Sequence, residues 1–430
     1  MPARRPSHTM QTFGFNHPTA PPSHLPVAST STSESTTPKR KKLTHAEALE
    51  QIRTFLRSQS SYDVFPVSFR LIVLDHHLVV KKALNTMLQN GVVSAPLWDS
   101  EKSQFAGMFT VSDLIHLIQY YYHTTTYEDA AADVDHFRLQ SIRDIEKAIR
   151  VPPPPLLSVH PMRPLFEACK LLIQTHARRL PLIDTDDQTG KEVVLSVLTQ
   201  YRVLKFMAVN CRETIHLDQT LRSLNIGTYC NPSPEHDNPY YPIATATMQT
   251  AVFDVVHMFS ELGISAVPIV DANGKVINLY ETVDVITLLK LGTYQALDLT
   301  IAQALARRPV DFEGVLTCGP ESSLASVFAL IRMRRIHRLV VIDDGRPKEG
   351  ESEQDAKQRK GRLLGLISLS DVLRHVIGSD VEIGGGGVGA VPVETLLAGG
   401  TAQGKAPRAD RAAAQAAIRR DAELRGEFPS

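Results

Sequence analysis

The sequence predicts an α/β fold built from one unit used four times, and three observations carry that reading. Four apolar, β-rich stretches each run into an aspartate: Ser94-Ala95-Pro96-Leu97-Trp98-Asp99, Arg179-Leu180-Pro181-Leu182-Ile183-Asp184, Ser265-Ala266-Val267-Pro268-Ile269-Val270-Asp271 and His337-Arg338-Leu339-Val340-Val341-Ile342-Asp343. Each is followed by a second strand that turns into a helix at a polar corner: Thr110-Val111-Ser112-Asp113, Thr199-Gln200-Tyr201-Arg202, Glu281-Thr282-Val283-Asp284 and Ser368-Leu369-Ser370-Asp371. The corner residues Asp113, Arg202, Asp284 and Asp371 lie 89, 82 and 87 residues apart. Self-similarity of this kind marks a repeated supersecondary unit, and a fourfold unit is a platform for ligands.

Taken in order, each unit reads strand, helix, strand, strand, helix. In the first, Leu71 to Leu74 is a short strand, and Val79 to Gln89 has helical spacing with Val80, Ala83, Leu84, Met87 and Leu88 on one face. Gly91, able to take a positive φ, stops that helix. Val92 to Trp98 and Phe105 to Thr110 are strands, and Asp113 opens a helix carrying Leu114, Ile115, Leu117 and Ile118. Helices near Phe166 to Gln174, Val252 to Leu262 and Leu324 to Arg332 each precede a strand in the later units, and helices after Arg202, Asp284 and Asp371 close them. Pro152 to Pro155 and Asn231 to Pro242 are loops because proline lacks an amide donor. Gly345 to Gly361 is a polar insertion, expected to be a flexible surface loop.

The 430 residues accommodate several domain-sized units, and 43% hydrophobic with 21% charged content is ordinary for a folded chain. Forty-six basic side chains balance 46 acidic ones, which argues against nucleic-acid binding driven by bulk charge. The dispersed Cys169, Cys211, Cys230 and Cys318 form no C-x-x-C pair and read as reduced packing residues. No apolar run is long enough to span a membrane, and the start of the chain lacks the apolar core of a signal peptide, so a soluble intracellular protein is expected. Residues 1–42, rich in Pro, Ser and Thr, are expected to be disordered, as is the tail 381–430 with its Gly384 to Gly387 run. The run Pro38-Lys39-Arg40-Lys41-Lys42 is either a nuclear import signal or a solvated basic patch.

On these motifs the repeat resembles the CBS motif. The quartet, with Ala95-Pro96-Leu97-Trp98-Asp99, Phe312-Glu313-Gly314-Val315-Leu316 and Ser368-Leu369-Ser370-Asp371, is similar to the fungal form of the gamma regulatory subunit of AMP-activated protein kinase. The resemblance extends from about Thr44 to Gly378. It implies units over 43–130, 131–217, 218–298 and 299–380, associated as two pairs in a flat disc with clefts around a central channel.

It also implies a site. An ionised aspartate at a helix start accepts hydrogen bonds and can take two from the vicinal hydroxyls of a ribose; Asp113, Asp284 and Asp371 have that chemistry, whereas Arg202 only donates. The alternative role for these aspartates is helix capping. By the resemblance, Arg179, Arg308, His337 and Arg338 point toward phosphates, for which the arginine fork is suited. Thr228, Ser265, Ala266 and Ser368 line the pockets, and Leu157, Ala244 and Leu316 contact adenine or ribose. His337 is alternatively a packing histidine, and Arg178 with Arg179 a solvated pair. Val93, Arg178 and Tyr201 replace an arginine, a histidine and a lysine of the animal pattern, all expected around the Asp113 cleft, which makes that cleft the weaker one. The fourth unit's cleft, with Ser368, Asp371, Arg308, His337 and Arg338, ranks as the strongest.

Asp311-Phe312-Glu313-Gly314 lacks the other signatures of a kinase, and no nucleophile has a base and orienter beside it. The resemblance therefore implies a non-catalytic sensor in which AMP, ADP and ATP compete for clefts, with no metal of its own. Its partners would be the kinase alpha and beta subunits, in cytoplasm and nucleus, with no nucleic acid or membrane partner. Tyr62 to Leu74 either helps dock the beta subunit or only begins the first unit. An architectural scaffold or an adenosyl-ligand module is the alternative function.

Overall fold

A computed structural model describes residues 43–66, 70–124, 137–148, 154–175, 177–231, 240–290, 298–308, 312, 314–347 and 350–378. The basic run Pro38–Lys42, the glycine run Gly384–Gly387 and much of the two proline loops lie outside the described residues. After α1 (His45–Ser58), the first repeat comprises β1 (Leu74–Asp75), α2 (Val80–Gln89), β2 (Ser94–Asp99), β3 (Gln104–Thr110) and α3 (Val111–Thr124). Next come α4 (Ile142–Ala148), then α5 (Leu165–Gln174), β4 (Arg179–Thr185), β5 (Glu192–Thr199) and α6 (Gln200–Asn210) of the second. After β6 (Thr228–Tyr229), the third holds α7 (Val252–Glu261), β7 (Ala266–Val270), β8 (Val276–Glu281) and α8 (Thr282–Lys290), followed by α9 (Ile301–Leu305). The fourth contains β9 (Thr317–Cys318), α10 (Leu324–Met333), β10 (Arg338–Ile342), α11 (Glu353–Arg359), β11 (Leu363–Ser368) and α12 (Leu369–Ile377).

The repeat is visible in its registers. A parallel pairing opens each unit, at Leu74 with Leu97, Val159 with Leu182, Ala246 with Ile269 and Thr317 with Val340. An antiparallel hairpin follows, aligning Ser94 with Thr110, Arg179 with Thr199, Ala266 with Glu281 and Arg338 with Ser368. In every hairpin the register shifts between the fourth and fifth of those residues, at Leu97/Trp98, Leu182/Ile183, Ile269/Val270 and Val341/Ile342. Such a bulge tightens the strand twist at the same place each time. The central strands β4, β7 and β10 are covered on both faces, which is why they read as continuous apolar runs rather than alternating ones.

Helices join repeats that are not neighbours in sequence. One core combines repeats 1 and 3, with Phe109, Leu114 and Ile118 among Val252, Val256 and Ile286. The other combines repeats 2 and 4, with Leu172, Leu204 and Met207 among Phe328, Ile331 and Leu373. The sheets supply the remaining links. The Phe105 amide donates to Glu192 (2.7 Å) between repeats 1 and 2, and Leu363 N donates to Gly274 O (3.0 Å) between repeats 3 and 4, beside a small core of Ala266, Leu279 and Val340.

Two placements go beyond the sequence reading and one departs from it. Helix α1 precedes the first repeat but buries Ala48, Leu49, Ile52 and Leu56 in the core of repeats 2 and 4, and Arg53 Nε donates to Val376 O at 2.8 Å. An amphipathic stripe states which face is buried but not which of several apolar surfaces receives it. The turn Ser61–Val64 docks on the approach to repeat 2, where Ser61 N and Tyr62 N donate to Arg163 O and Pro161 O (2.9 Å each); of the stretch Tyr62 to Leu74, residues 67–69 lie outside the described residues. The insertion Gly345–Gly361, expected as a loop, contains α11: Ser352 caps it, Ala356 is buried, and Arg359 ties it to Glu351 and Asp343.

Candidate functional site

Three of the four corners share one local geometry. Asp113, Asp284 and Asp371 each stand at the third helical position, not the N-cap, and reach back to the backbone amide three residues earlier. Asp113 Oδ2 accepts from Thr110 N and Oγ1 (2.6 Å each), Asp284 Oδ2 from Glu281 N (2.7 Å), and Asp371 Oδ2 from Ser368 N (2.8 Å) and Oγ (2.7 Å). This reach-back, completed into a reciprocal capping box at Ser368 and Asp371, satisfies an orphan donor at the helix start. It consumes one carboxylate oxygen and leaves the other as the candidate ligand group.

That second oxygen has a different fate at each corner. Arg143 from α4 donates to Asp113 Oδ1 (2.8 Å), and Arg308, just after α9, grips both oxygens of Asp284 at 2.7 and 2.6 Å. Each of these arginines also donates to the carbonyl five residues before the corner, Met108 O and Leu279 O respectively. At the second corner Arg202 itself donates to the equivalent carbonyl, Val197 O, at 3.1 Å. Among the described residues, only Arg374, at a longer 3.3 Å and from the same helix, approaches Asp371 Oδ1. The exposure of the carboxylates follows: 5% for Asp113, 12% for Asp284 and 21% for Asp371.

Arg308 therefore corrects the expected site. It was expected in the fourth cleft, but it belongs to Asp284, where it also bonds Asn278 Oδ1 (2.8 Å) and lies 4.2 Å from the Phe312 ring. Burial pushes the Asp284 carboxyl up, opposed by Arg308; burial likewise pushes Asp113 up, opposed by Arg143 and Thr110. Around Asp113 the charges continue into a buried network, with Glu146 bound to Arg143 (2.6 Å) and to His116 (3.0 Å). Burial alone would raise Glu146, but His116 and Arg143 outweigh it and hold it low.

A second group of residues converges where the hairpins of repeats 2, 3 and 4 begin. Arg338 pairs across the sheet with Ser368, and its guanidinium reaches Glu281 and the buried Ser265 hydroxyl of repeat 3. Ala266, next to Ser265, is buried against Leu279 and Val340. Thr228 on β6 pairs with Leu366 at the edge of the Asp371 sheet. Arg178 reaches the surface, and burial by the surrounding protein first, then Arg338 and Arg179, hold it down to about 9. Arg179 is held down to about 10 by burial and Arg335, and His337 to about 4 by burial, Arg335, Arg338 and Arg179. Positive charges are thus crowded in a place where they disfavour one another, an arrangement that an anion would relieve.

The remaining residues are less tightly linked. Leu157 is buried in the core of repeats 2 and 4, the Leu316 carbonyl accepts from Val340 N (3.0 Å), and Ala244 is half-buried just before the parallel pairing of repeat 3. Arg178 and Tyr201, expected around the Asp113 cleft, instead neighbour the start of β10: the Tyr201 and His337 rings are 6.1 Å apart. Val93 packs against the core of repeats 1 and 3. Sequence reasoning missed Arg143, Glu146, Glu281 and Arg335. A comparison of the segments following each corner helix carries a signal for the first, since Arg143 and Arg308 follow their aspartates by 30 and 24 residues, one within and one just after a short helix.

Comparisons with known proteins agree with this geometry. The CBS domain family matches residues 63–120, 142–209 and 239–290. The fourth repeat, outside those matches, shares the registers of the other three. The chain is 46% identical over 331 residues to the 5'-AMP-activated protein kinase subunit gamma of Kluyveromyces lactis, covering 77% of this chain and 92% of that one. It is likewise 46% identical over 330 residues to the Saccharomyces cerevisiae subunit gamma, covering 77% and 94%. Human subunit gamma-3 is 31% identical over 334 residues, covering 76% of this chain and 61% of that protein. In fold, the archaeal protein MJ1225 of Methanocaldococcus jannaschii superposes with a TM-score of 0.53 at 14% identity, over 73% of this chain and 99% of its own. Four registered repeats, carboxylate corners and a cationic centre thus accompany extensive identity to fungal proteins, and the chain belongs to the gamma subunit family of AMP-activated protein kinase.

Proposed function

We propose that this chain is the non-catalytic, nucleotide-sensing gamma subunit of a heterotrimeric kinase, assembled with a catalytic alpha and a scaffolding beta subunit. AMP, ADP and ATP compete for its clefts, and the cleft of Asp371 is the principal one. The observation that carries this reading is the contrast between corners: Asp371 keeps an oxygen held only at 3.3 Å, while Asp113 and Asp284 are gripped by Arg143 and Arg308. Beside Asp371, Ser368 is registered with Arg338, and Arg178 and Arg179 bring further cationic groups, and His337 a neutral ring N–H, toward an attached phosphate. Ribose at the carboxylate and phosphate at the arginines uses both ends of a nucleotide. A nucleotide biases the kinase only by binding its two states unequally, so regulation requires contacts that change with the β- and γ-phosphates.

Calorimetric titration of the full chain with AMP and with ATP tests the proposal. Saturable heat with both, lost together in Asp371→Ala, is expected. Absence of heat with every adenine nucleotide would refute it and favour an architectural scaffold. Co-purification with a kinase catalytic subunit tests the assembly.

A further inference from the structure

Gln200 is the first residue of α6, at the corner of repeat 2. The same position holds Val111 in repeat 1 and Leu369 in repeat 4, both buried and apolar, and Thr282 in repeat 3. An amide at 5% exposure in this place costs free energy unless its polar atoms are bonded, and both ends of it are. Gln200 Nε2 donates to Ala177 O (3.1 Å), and Gln200 Oε1 accepts from Ser370 Oγ (2.9 Å) of α12. Its backbone amide donates to Arg178 O (3.4 Å). One residue thus spans from the neighbour of Asp371 to the stretch directly before Arg179 opens β4.

The direction of these bonds follows from chemistry. A backbone carbonyl only accepts, so the amide nitrogen faces Ala177 O, which leaves the amide oxygen for Ser370. The Ser370 hydroxyl therefore commits its proton to Gln200, and its oxygen offers lone pairs alone to a further partner. Ser368 Oγ has likewise given its proton to Asp371 Oδ2 (2.7 Å). The corner of repeat 4 is a group of acceptors, which suits sugar hydroxyls and disfavours phosphate oxygens. At the other end of Gln200, Arg178 and Arg179 carry donors only.

Further along, α6 is fastened to repeat 4 a second time. Lys205 Nζ donates to Ile331 O (3.2 Å) and Arg332 O in the last turn of α10, and Arg332 Nε donates to Ala208 O (2.7 Å) in the last turn of α6. Each helix end is capped by a cation of the other, which satisfies carbonyls that lack a partner within the helix. A helix pinned at two points holds the Gln200 side chain in a fixed place relative to Ser370.

We propose that Gln200 is a positioning residue for the ribose of a nucleotide at Asp371, an inference that rests on that cleft being a nucleotide site. It fixes the Ser370 oxygen as an acceptor beside the Asp371 carboxylate, and it ties this sugar-holding corner to the strand start that carries Arg178 and Arg179.

The test is calorimetric titration of the full chain with AMP and with 2′,3′-dideoxy-AMP, which lacks both sugar hydroxyls. The unmodified protein is compared with Gln200→Leu, Ser370→Ala and the double variant. AMP affinity is expected to fall at least about tenfold with Gln200→Leu, as loss of a hydrogen bond to the sugar predicts. Dideoxy-AMP has no hydroxyl to place and should weaken less than about threefold, so that the preference for AMP shrinks. Because Gln200 acts through Ser370, the double variant should bind AMP within about twofold of Gln200→Leu alone. Unchanged AMP affinity, equal weakening of the two nucleotides, or losses that multiply in the double variant would overturn the positioning role. Thermal melts identify a variant that fails to fold; should Gln200→Leu do so, Ser370→Ala, at a half-buried position, carries the same comparison of nucleotides. Absence of AMP binding to the unmodified chain is a separate result, which refutes the nucleotide reading and this role with it.

Discussion

Replacing Asp371 and replacing Asp113 should have opposite signatures, one on binding and one on stability. Asp371 contributes a capping bond to α12, and its second oxygen is held only at 3.3 Å by Arg374. Asp371→Ala therefore costs about 1 kcal/mol of stability, the usual value of a cap. In the ligand complex it removes one or two hydrogen bonds to a charged acceptor, about 1.5–3 kcal/mol each, so nucleotide affinity should fall roughly a hundredfold. Asp113 is buried at 5% exposure and bonded to Arg143 at 2.8 Å. Asp113→Ala leaves that half-buried guanidinium with Glu146 and the Met108 carbonyl, so the cost falls below the roughly 3–5 kcal/mol typical of breaking a fully buried pair, at about 2–3 kcal/mol. Nucleotide affinity should be nearly unchanged. Urea unfolding and calorimetry on both variants measure the two quantities, with Asp371→Asn, which retains an acceptor for Ser368 N, separating cap from charge. Equal losses of affinity in Asp113→Ala and Asp371→Ala would refute the ranking of the clefts.

Three further outcomes are expected. Leu56→Ala in α1, fully buried in the core of repeats 2 and 4, should destabilise by about 2–5 kcal/mol in urea melts; a cost of only a few tenths would mean that α1 is not docked there. Gly227 has φ +103°, and a Cβ there would lie 2.6 Å from Ile367 Cγ1 and 2.8 Å from Leu366 O. Gly227→Ala should thus push β6 from β11 and lower both the melting temperature and nucleotide affinity, whereas a parent-like melt would contradict the close approach. His375, half-buried against His45 and near Arg53, is held down to about 4, mainly by desolvation. A depressed histidine is neutral in the fold but takes up a proton when unfolded, so its contribution is fully present above about pH 6.5 and is lost as the pH falls toward 4, by up to about 3 kcal/mol. His375→Gln should flatten stability against pH in that window; parallel curves for variant and parent would count against it.

Much of the fold was legible because its determinants are local. Hairpin registers, the helices after the corners and the four copies depend on apolar runs, bulges and capping residues within a few tens of positions, all written along the chain. The chemistry of Asp113, Asp284 and Asp371 could be read as either cap or ligand group, and the structure makes each a cap through one oxygen. Whether the other oxygen is available was not legible, since Arg143, Arg308 and Arg374 lie at different distances along the chain and only packing decides which guanidinium arrives. For the same reason Arg308 was expected at the wrong cleft.

By itself the sequence determined four equivalent α/β units, the strand-to-helix corner of each, and which side chains carry charge there. Tertiary structure decided the rest: that repeat 1 shares a core with 3 and repeat 2 with 4, that α1 crosses to the second of these cores, and that Arg143 and Arg308 reach the carboxylates of Asp113 and Asp284. The physical reason is that four similar units present four similar apolar faces. Hydrophobic burial favours covering each of them without naming the partner, and shape and charge complementarity across the assembled interfaces make that choice.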